Sequence, residues 1–440
     1  MEVSTKQEQI AALAERYPDR GLTSLNKHLD EEWLCAAFAG LRKDGAVGVD
    51  GVSAKAYGEE LEKRLPDLVD RAKSGRYRAP PVRRVYIDKP GKSEKRPLGI
   101  PTTEDKLLQK AVTMLLEPIY EREFYDFSYG FRPGRGCHDA LEYMRSSIMK
   151  TRTGWIVEAD IRNFFNAMPH DKVREILRQR VRDGVLTRLI DKWLKAGVLE
   201  AGEWQRSENG TPQGGVISPL LSNVFLHEVL DKWFAEQIQP LLKGGSFLVR
   251  YADDFVMGFE NRREAERVLA TLWKRFARFG LELHPDKTRL VAFEPPRKAE
   301  PGGGKEAKQS FDFLGFTHYW GRSRKGYWII QRRTAKDRLN RSLKKISQWC
   351  RTHRHDPVEN QHQQLCRMMR GHYGYYGITG NSRQLSGYAY RVTYCWHKWL
   401  RRRHRSRNRM DWDWFNGVIR PNFPLPPPRI VHSVYRRANP

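Results

Sequence analysis

The stretch that most limits the fold is SFLVRYADDFVMGF, 246–259. Apolar, strand-favouring residues flank Ala252-Asp253, so the segment reads as a hairpin with apolar arms and carboxylates at its turn. A two-residue turn ordinarily takes glycine or asparagine, because its central residues need positive φ. This one has neither. A locally awkward turn that carries acids marks a place where function has overridden local preference. GWIVEADI, 154–161, reads as a further strand. Alternation puts Val157, Ala159 and Ile161 on one face and Ile156, Glu158 and Asp160 on the other, leaving Asp160 at the strand's end and pointing away from the packed side.

Helical periodicity supplies the rest of the core. Leu107, Leu108, Ala111, Val112, Leu115, Leu116 and Ile119 form one stripe; Ala265, Val268, Leu269, Leu272, Trp273 and Phe276 form another. The second begins with a capping-box-like Asn261 and Glu264 and stops at Gly280. Helices and strands mixed in this order predict an α+β fold, an antiparallel sheet backed by helices. At 440 residues the chain is too long for one core and predicts two or three packing units. The Pro-, Gly- and charge-rich stretch 294–308 reads as a mobile surface loop. Five scattered cysteines without a Cys-x-x-Cys pair fit neither a disulfide framework nor a zinc finger. The N-terminus lacks an apolar export region, and no apolar run approaches the ~20 residues of a membrane span. These features predict a cytoplasmic protein with no membrane segment.

Charge then names the class of partner. Seventy-nine Lys and Arg against 52 Asp and Glu leave +27, which repels itself unless a polyanion is near, and nucleic acid is the expected one. With 39% hydrophobic residues and 13 tryptophans the charge sits on a folded body. In such a chain the converging carboxylates Asp160, Asp253 and Asp254 repel one another unless cations neutralise them. Mg²⁺ takes a few carboxylate oxygens and keeps other positions for water and phosphate, and a pair of such ions stabilises both attacking and leaving oxygens of nucleotidyl transfer. An Asp-Asp dipeptide alone is more often a solvated turn. Its company decides.

Tyr251-Ala252-Asp253-Asp254 resembles the YxDD box of reverse transcriptases, and ADIRNFFNAMPH, 159–170, resembles their first catalytic box. GTPQGGVISPLLSNVFL (210–226) is similar to the nucleotide-binding box, GLELHPDKT (280–288) to the next, and FDFLGF (311–316) to the primer grip, all in family order. RPLGIPTTEDKLLQKAV and FSYGFRPGRGCHDAL, with GAVGVDG upstream, narrow the resemblance to reverse transcriptases encoded by bacterial group II introns. It implies a right-hand polymerase: an N-terminal extension and fingers over 1–105, a fingers and palm core over 106–330, and a helical thumb or maturase domain over 331–440. It implies that Asp160 and Asp253 hold two Mg²⁺ ions, which Mn²⁺ can replace, with Asp254 a weaker ligand. Phe165 would lie beneath the incoming sugar and block a 2′-hydroxyl. Ile161, Gln213 and Gly214 would line the nucleotide, with Gly215 also permitting close backbone approach. Arg96, Lys89 and Lys95 would clamp the triphosphate. Lys287 would give a proton to the departing pyrophosphate. Phe313, Leu314 and Gly315 would support the primer end. Asn166 stands where many members carry aspartate.

From Thr334 the pattern puts Leu339, Leu343 and Ile346 on one helical face and Arg338, Arg341, Lys344 and Lys345 on others, a charge pattern that can track a nucleic-acid backbone. Aromatics interleaved with arginine follow, a composition suited to stacking on bases; Met368, Met369, Tyr373 and Tyr376, taken singly, read as helix packing. His353 and His355 have no cysteine at ligand spacing and read as surface residues. No cysteine pairs or His-Asn-His constellation follow Met410, so the endonuclease domain of some members is expected to be absent. The expected activity is RNA-directed DNA synthesis together with splicing assistance. The expected partners are structured intron RNA, RNA template, DNA primer and deoxynucleoside triphosphates, with a homodimer left open. The alternatives are a related enzyme serving phage defence or CRISPR adaptation, and a splicing-only RNA-binding cofactor.

Overall fold

In the computed structural model, which describes residues 2–88, 95–200, 203–205, 214–296, 309–323, 325–403 and 410–433, the chain divides into two units, Met1–Leu290 and Val291–Pro440. Lys89, Gln213 and most of the expected loop, 297–308, lie outside the described residues.

In the first unit Val82–Asp88 (β1) and Lys95–Ile100 (β2) pair antiparallel, ending with Asp88 opposite Lys95. Thr103–Tyr120 (α1) follows, its first turn capped by the Thr102 hydroxyl accepting from the Asp105 N–H at 3.2 Å. The whole predicted stripe from Leu107 to Ile119 is buried. Cys137–Lys150 (α2) leads into Trp155–Ala159 (β3). Val198–Glu200 (β4) and Glu203–Gln205 (β5) extend the first sheet to the order β2-β1-β4-β5. The β1–β4 pair is parallel.

Ser218–Leu226 (α3) is nearly all buried and continues into a wide π turn over His227–Asp231. Ser246–Tyr251 (β6) and Asp254–Phe259 (β7) form the expected hairpin. Arg262–Arg278 (α4) packs its Ala265, Val268, Leu272 and Phe276 into the core, and Gly280 at φ +72° ends that segment. Its start is not the expected capping box: Glu264 accepts from the Lys243 N–H at 2.8 Å, which fastens the preceding loop instead. Arg289–Ala292 (β8) completes the order β6-β7-β3-β8, with β7 antiparallel to both β6 and β3.

The second unit holds a three-stranded antiparallel sheet in the order Trp328–Thr334, Phe316–Arg322, Ser310–Phe313, numbered β11, β10 and β9 by chain position. The helices Lys336–Thr352 (α5), Val358–Tyr376 (α6) and Ser382–Leu400 (α7) follow. Their core gathers Leu339, Ile346, Leu365, Met369, Tyr388 and Trp396. No described helix is long and apolar enough to cross a membrane.

Candidate active site

Register brings the first carboxylate to the hairpin. Ala159 lies opposite Phe255, so one more step along β3 sets Asp160 level with Asp254, at the sheet end that carries Asp253. The groups meet electrostatically. Burial, and then the like charge of Asp160, push the Asp253 carboxyl above the ordinary carboxylate range, while Arg96 and Arg250 partly offset the rise. Arg96, exposed on β2, is thus part of the same electrostatic environment. Asp254 is exposed at the first position of β7.

The turn is held in the strained form its sequence foretold: Ala252 has φ +56°, a conformation residues with a Cβ rarely adopt. A fully buried polar assembly behind it supplies the restraint. Arg250, 0% exposed, donates from Nε to Asp231 Oδ1 at 2.8 Å and from a terminal nitrogen to Oδ2 at 2.5 Å. Its other terminal nitrogen donates to Asn223 Oδ1 at 2.9 Å and to the Ala252 carbonyl at 3.1 Å. The Asn223 amide then donates to the Gly130 carbonyl at 2.7 Å. Gly130 lies so close that a Cβ there would run into the Ala252 backbone nitrogen. On the outer edge of β6, the Arg250 N–H donates to the Phe127 carbonyl at 2.8 Å and the Arg250 carbonyl accepts from the Tyr129 N–H at 2.9 Å. Sequence reasoning missed these residues. The available signal was lone polar residues inside apolar runs: Arg250 in a buried strand, and Asn223 and Asp231 eight positions apart on one helical run.

On the far side of β3, the Asp160 carbonyl accepts from the His284 N–H at 2.7 Å, and Ile161 bridges to Leu283. This fixes the turn that carries Lys287, whose ammonium is ion-paired with Asp160. Arg289 pairs likewise with Glu158. Phe164 takes the core position, 3% exposed, while Phe165 is half-buried with its ring 5.5 Å from that of Phe164. The Ile161 side chain is 4% exposed and belongs to the core, so whatever it offers a nucleotide comes from its backbone. Lys95 is exposed beside Arg96. Gly214 has φ +121°, and a Cβ there would stand 2.6 Å from the Gly99 carbonyl oxygen, so backbone of the 214 loop and of β2 meet closely. Tyr251 is tied to Cys137 at the start of α2, a hydrogen bond that with burial pushes its hydroxyl up to about 12.

Among the described residues no group of three Asp, Glu, His or Cys is gathered in metal-holding arrangement. The donor set is therefore partial: Asp160 beside a half-buried Asp253, with Lys287 as countercharge. That suits Mg²⁺, which takes few protein carboxylates and fills its octahedron with water and substrate phosphate. It does not suit a resident structural ion.

In the second unit Leu314 and Gly315 form the β9–β10 turn with φ +48° and +79°. The Tyr375 hydroxyl donates to the Leu314 carbonyl at 2.8 Å. Met369 and Tyr373 are core, as packing predicted. The solvent face of α7 instead carries Tyr390, 69% exposed, and Tyr394, 49% exposed, among exposed Arg383, Arg391 and Lys398.

Comparison with known proteins agrees with this geometry. The family described as reverse transcriptase (RNA-dependent DNA polymerase) matches residues 87–318. Group II intron-encoded protein LtrA of Lactococcus lactis subsp. cremoris is 27% identical over 91% of this chain and 78% of its own length. Protein YkfC of Escherichia coli (strain K12) is 33% identical over 66% of this chain and 85% of its own. A protein encoded in a cob intron of Schizosaccharomyces pombe is 33% identical over 52% of this chain and 28% of its own. The chain belongs to the reverse transcriptase family, in the branch of group II intron-encoded reverse transcriptases and maturases, and is an RNA-directed DNA polymerase.

Proposed function

We propose that Asp160 and Asp253 carry the polymerase chemistry, with Asp254 at the margin, and that the chain extends a DNA primer on an RNA template from deoxynucleoside triphosphates. The carrying observation is the register that sets Asp160 level with Asp254, at the sheet end that carries Asp253. Acids forced together in this way call for cations and phosphates. Two Mg²⁺ ions bound there, or Mn²⁺ in their place, supply positive charge to the attacking and departing oxygens.

The primer's 3′-hydroxyl gives up its proton to solvent as its oxygen bonds to the α-phosphorus, the bond from that phosphorus to the oxygen bridging to the β-phosphate breaks, and pyrophosphate leaves. Arg96 and Lys95, with Lys89, orient the triphosphate and offset its charge. Phe165 excludes a 2′-hydroxyl by its ring. Gln213 and Gly214 border the nucleotide. Lys287 exchanges its Asp160 partner for the leaving phosphate and donates a proton to it. Phe313, Leu314 and Gly315 steady the primer end in this reading, which divides the chain into fingers (1–105), fingers and palm (106–330) and thumb or maturase (331–440). Basic α5 and the Tyr390–Tyr394 face of α7 suit structured intron RNA, by phosphate contact and base stacking.

A template–primer assay with Mg²⁺, comparing RNA with DNA templates and deoxy- with ribonucleotides, tests the proposal. Extension on RNA with deoxynucleotides is expected. Failure to extend on RNA, or equal use of ribonucleotides, overturns it.

A further inference from the structure

Beside the hairpin stands a residue within FSYGFRPGRGCHDAL to which neither the resemblance nor the mechanism gives a role. Phe131 has φ +58°, in the left-handed region, and is 58% exposed. A bulky aromatic in that region is strained, and such strain persists only where the surroundings over-determine it.

They do so here from both sides. Gly130, one residue before, is sealed against the Ala252 backbone and hydrogen-bonded through its carbonyl to Asn223. Arg132, one residue after, points inward at 6% exposure. It donates to the carbonyls of Tyr125 at 2.7 Å and Ser128 at 2.8 Å, is ion-paired with Glu121 at 3.0 Å, and lies over the Phe124 ring at 5.1 Å. Between two anchored neighbours, the chain turns the Phe131 ring outward. Core packing does not explain the ring, and the backbone would sit more easily with asparagine or glycine.

Its place does explain it. Consecutive Cα atoms are ~3.8 Å apart, and Gly130 touches the hairpin tip, so Phe131 is fixed beside the Asp253 turn. We infer that the Phe131 ring is a stacking surface for a nucleobase of the bound template–primer at its reacting end. This rests on the polymerase reading and adds a contact to it. Base-on-aromatic stacking tolerates any sequence, because every base has a π-face, which is what a copying enzyme requires.

The test uses the full chain and three variants: Phe131→Asn, which accepts the left-handed backbone and lacks the ring, Phe131→Leu, which is apolar but not planar, and Phe131→Trp. Template–primer affinity is read by fluorescence anisotropy, extension by gel, and folding by melting temperature. Expected is an affinity loss of about tenfold for Phe131→Asn and Phe131→Leu, a value within about twofold of wild type for Phe131→Trp, and an unchanged or raised melting temperature for Phe131→Asn. Asn or Leu variants that bind like wild type overturn the inference alone, provided wild type extends primers. So does a marked fall in melting temperature for Phe131→Asn, which would make the ring a packing residue. A wild type that neither binds nor extends overturns the polymerase reading and this inference together.

Discussion

Replacing Arg250 by methionine separates holding the Asp253 hairpin from merely folding. The change leaves Asp231, itself 0% exposed, as an uncompensated buried charge. It also removes the donors to Asn223 Oδ1 and the Ala252 carbonyl. Breaking a buried pair in this way costs about 3–5 kcal/mol. At roughly 2–4 °C per kcal/mol for a body of this size, the melting temperature falls by about 10 °C. Replacing both partners, Arg250→Met with Asp231→Leu, removes the stranded charge and recovers most of that loss, since a buried ion pair is worth little more than well-packed apolar groups. Activity does not recover. The Ala252 carbonyl still lacks its donor, the strained tip relaxes, and an Asp253 displaced by about 1 Å costs on the order of 100-fold in extension rate. The assay is calorimetric melting beside single-turnover primer extension. A double variant that regains stability and full extension would show that Arg250 only fills space, and the positioning role would fall.

Further outcomes follow from other parts of the first unit and from the basic second one. Asp105 is entirely buried among Tyr77, Trp193 and Gln109, and burial raises its carboxyl from 3.8 to about 6. The ionised form is thus disfavoured in the fold: stability is greatest below the unfolded value and declines by about 3 kcal/mol as pH rises between the two. Melting curves from pH 4 to 7 should show that decline in wild type relative to Asp105→Asn, and parallel curves would contradict it. Phe165→Val should raise ribonucleotide incorporation by about 100-fold with a small loss of stability; unchanged sugar selection would remove Phe165 from the nucleotide site. The exposed pair Lys344 and Lys345 on α5 should contribute to a steep salt dependence of RNA affinity. Replacing both by alanine should flatten the slope by about 1–2, and an unaltered slope places the RNA elsewhere.

The hairpin and Asp160 were legible because their signals are local: apolar runs of strand length, an alternation ending on an acid, and a turn lacking its usual residues. The α1 stripe was legible for the same reason, and so was that of α4 apart from Trp273, which is exposed. What joins these elements was not. The Arg250–Asp231–Asn223 assembly unites residues up to 27 positions apart, and periodicity records which side of an element is buried, not which polar groups meet there. Glu264 shows the limit at short range. Its spacing from Asn261 fits a capping box, yet Glu264 accepts from the Asn261 side-chain amide and from the Lys243 N–H. The outward turn of Phe131 depends on Arg132 being drawn into the interior, a contact set that no dipeptide preference encodes.

The two-carboxylate mechanism is tested most directly by the Asp253→Ala chain, measured for primer extension on RNA with Mg²⁺ and for template–primer binding. Loss of extension by about 10³-fold or more, with affinity within a few-fold of wild type, is the predicted result. Substantial DNA synthesis by that variant would contradict it.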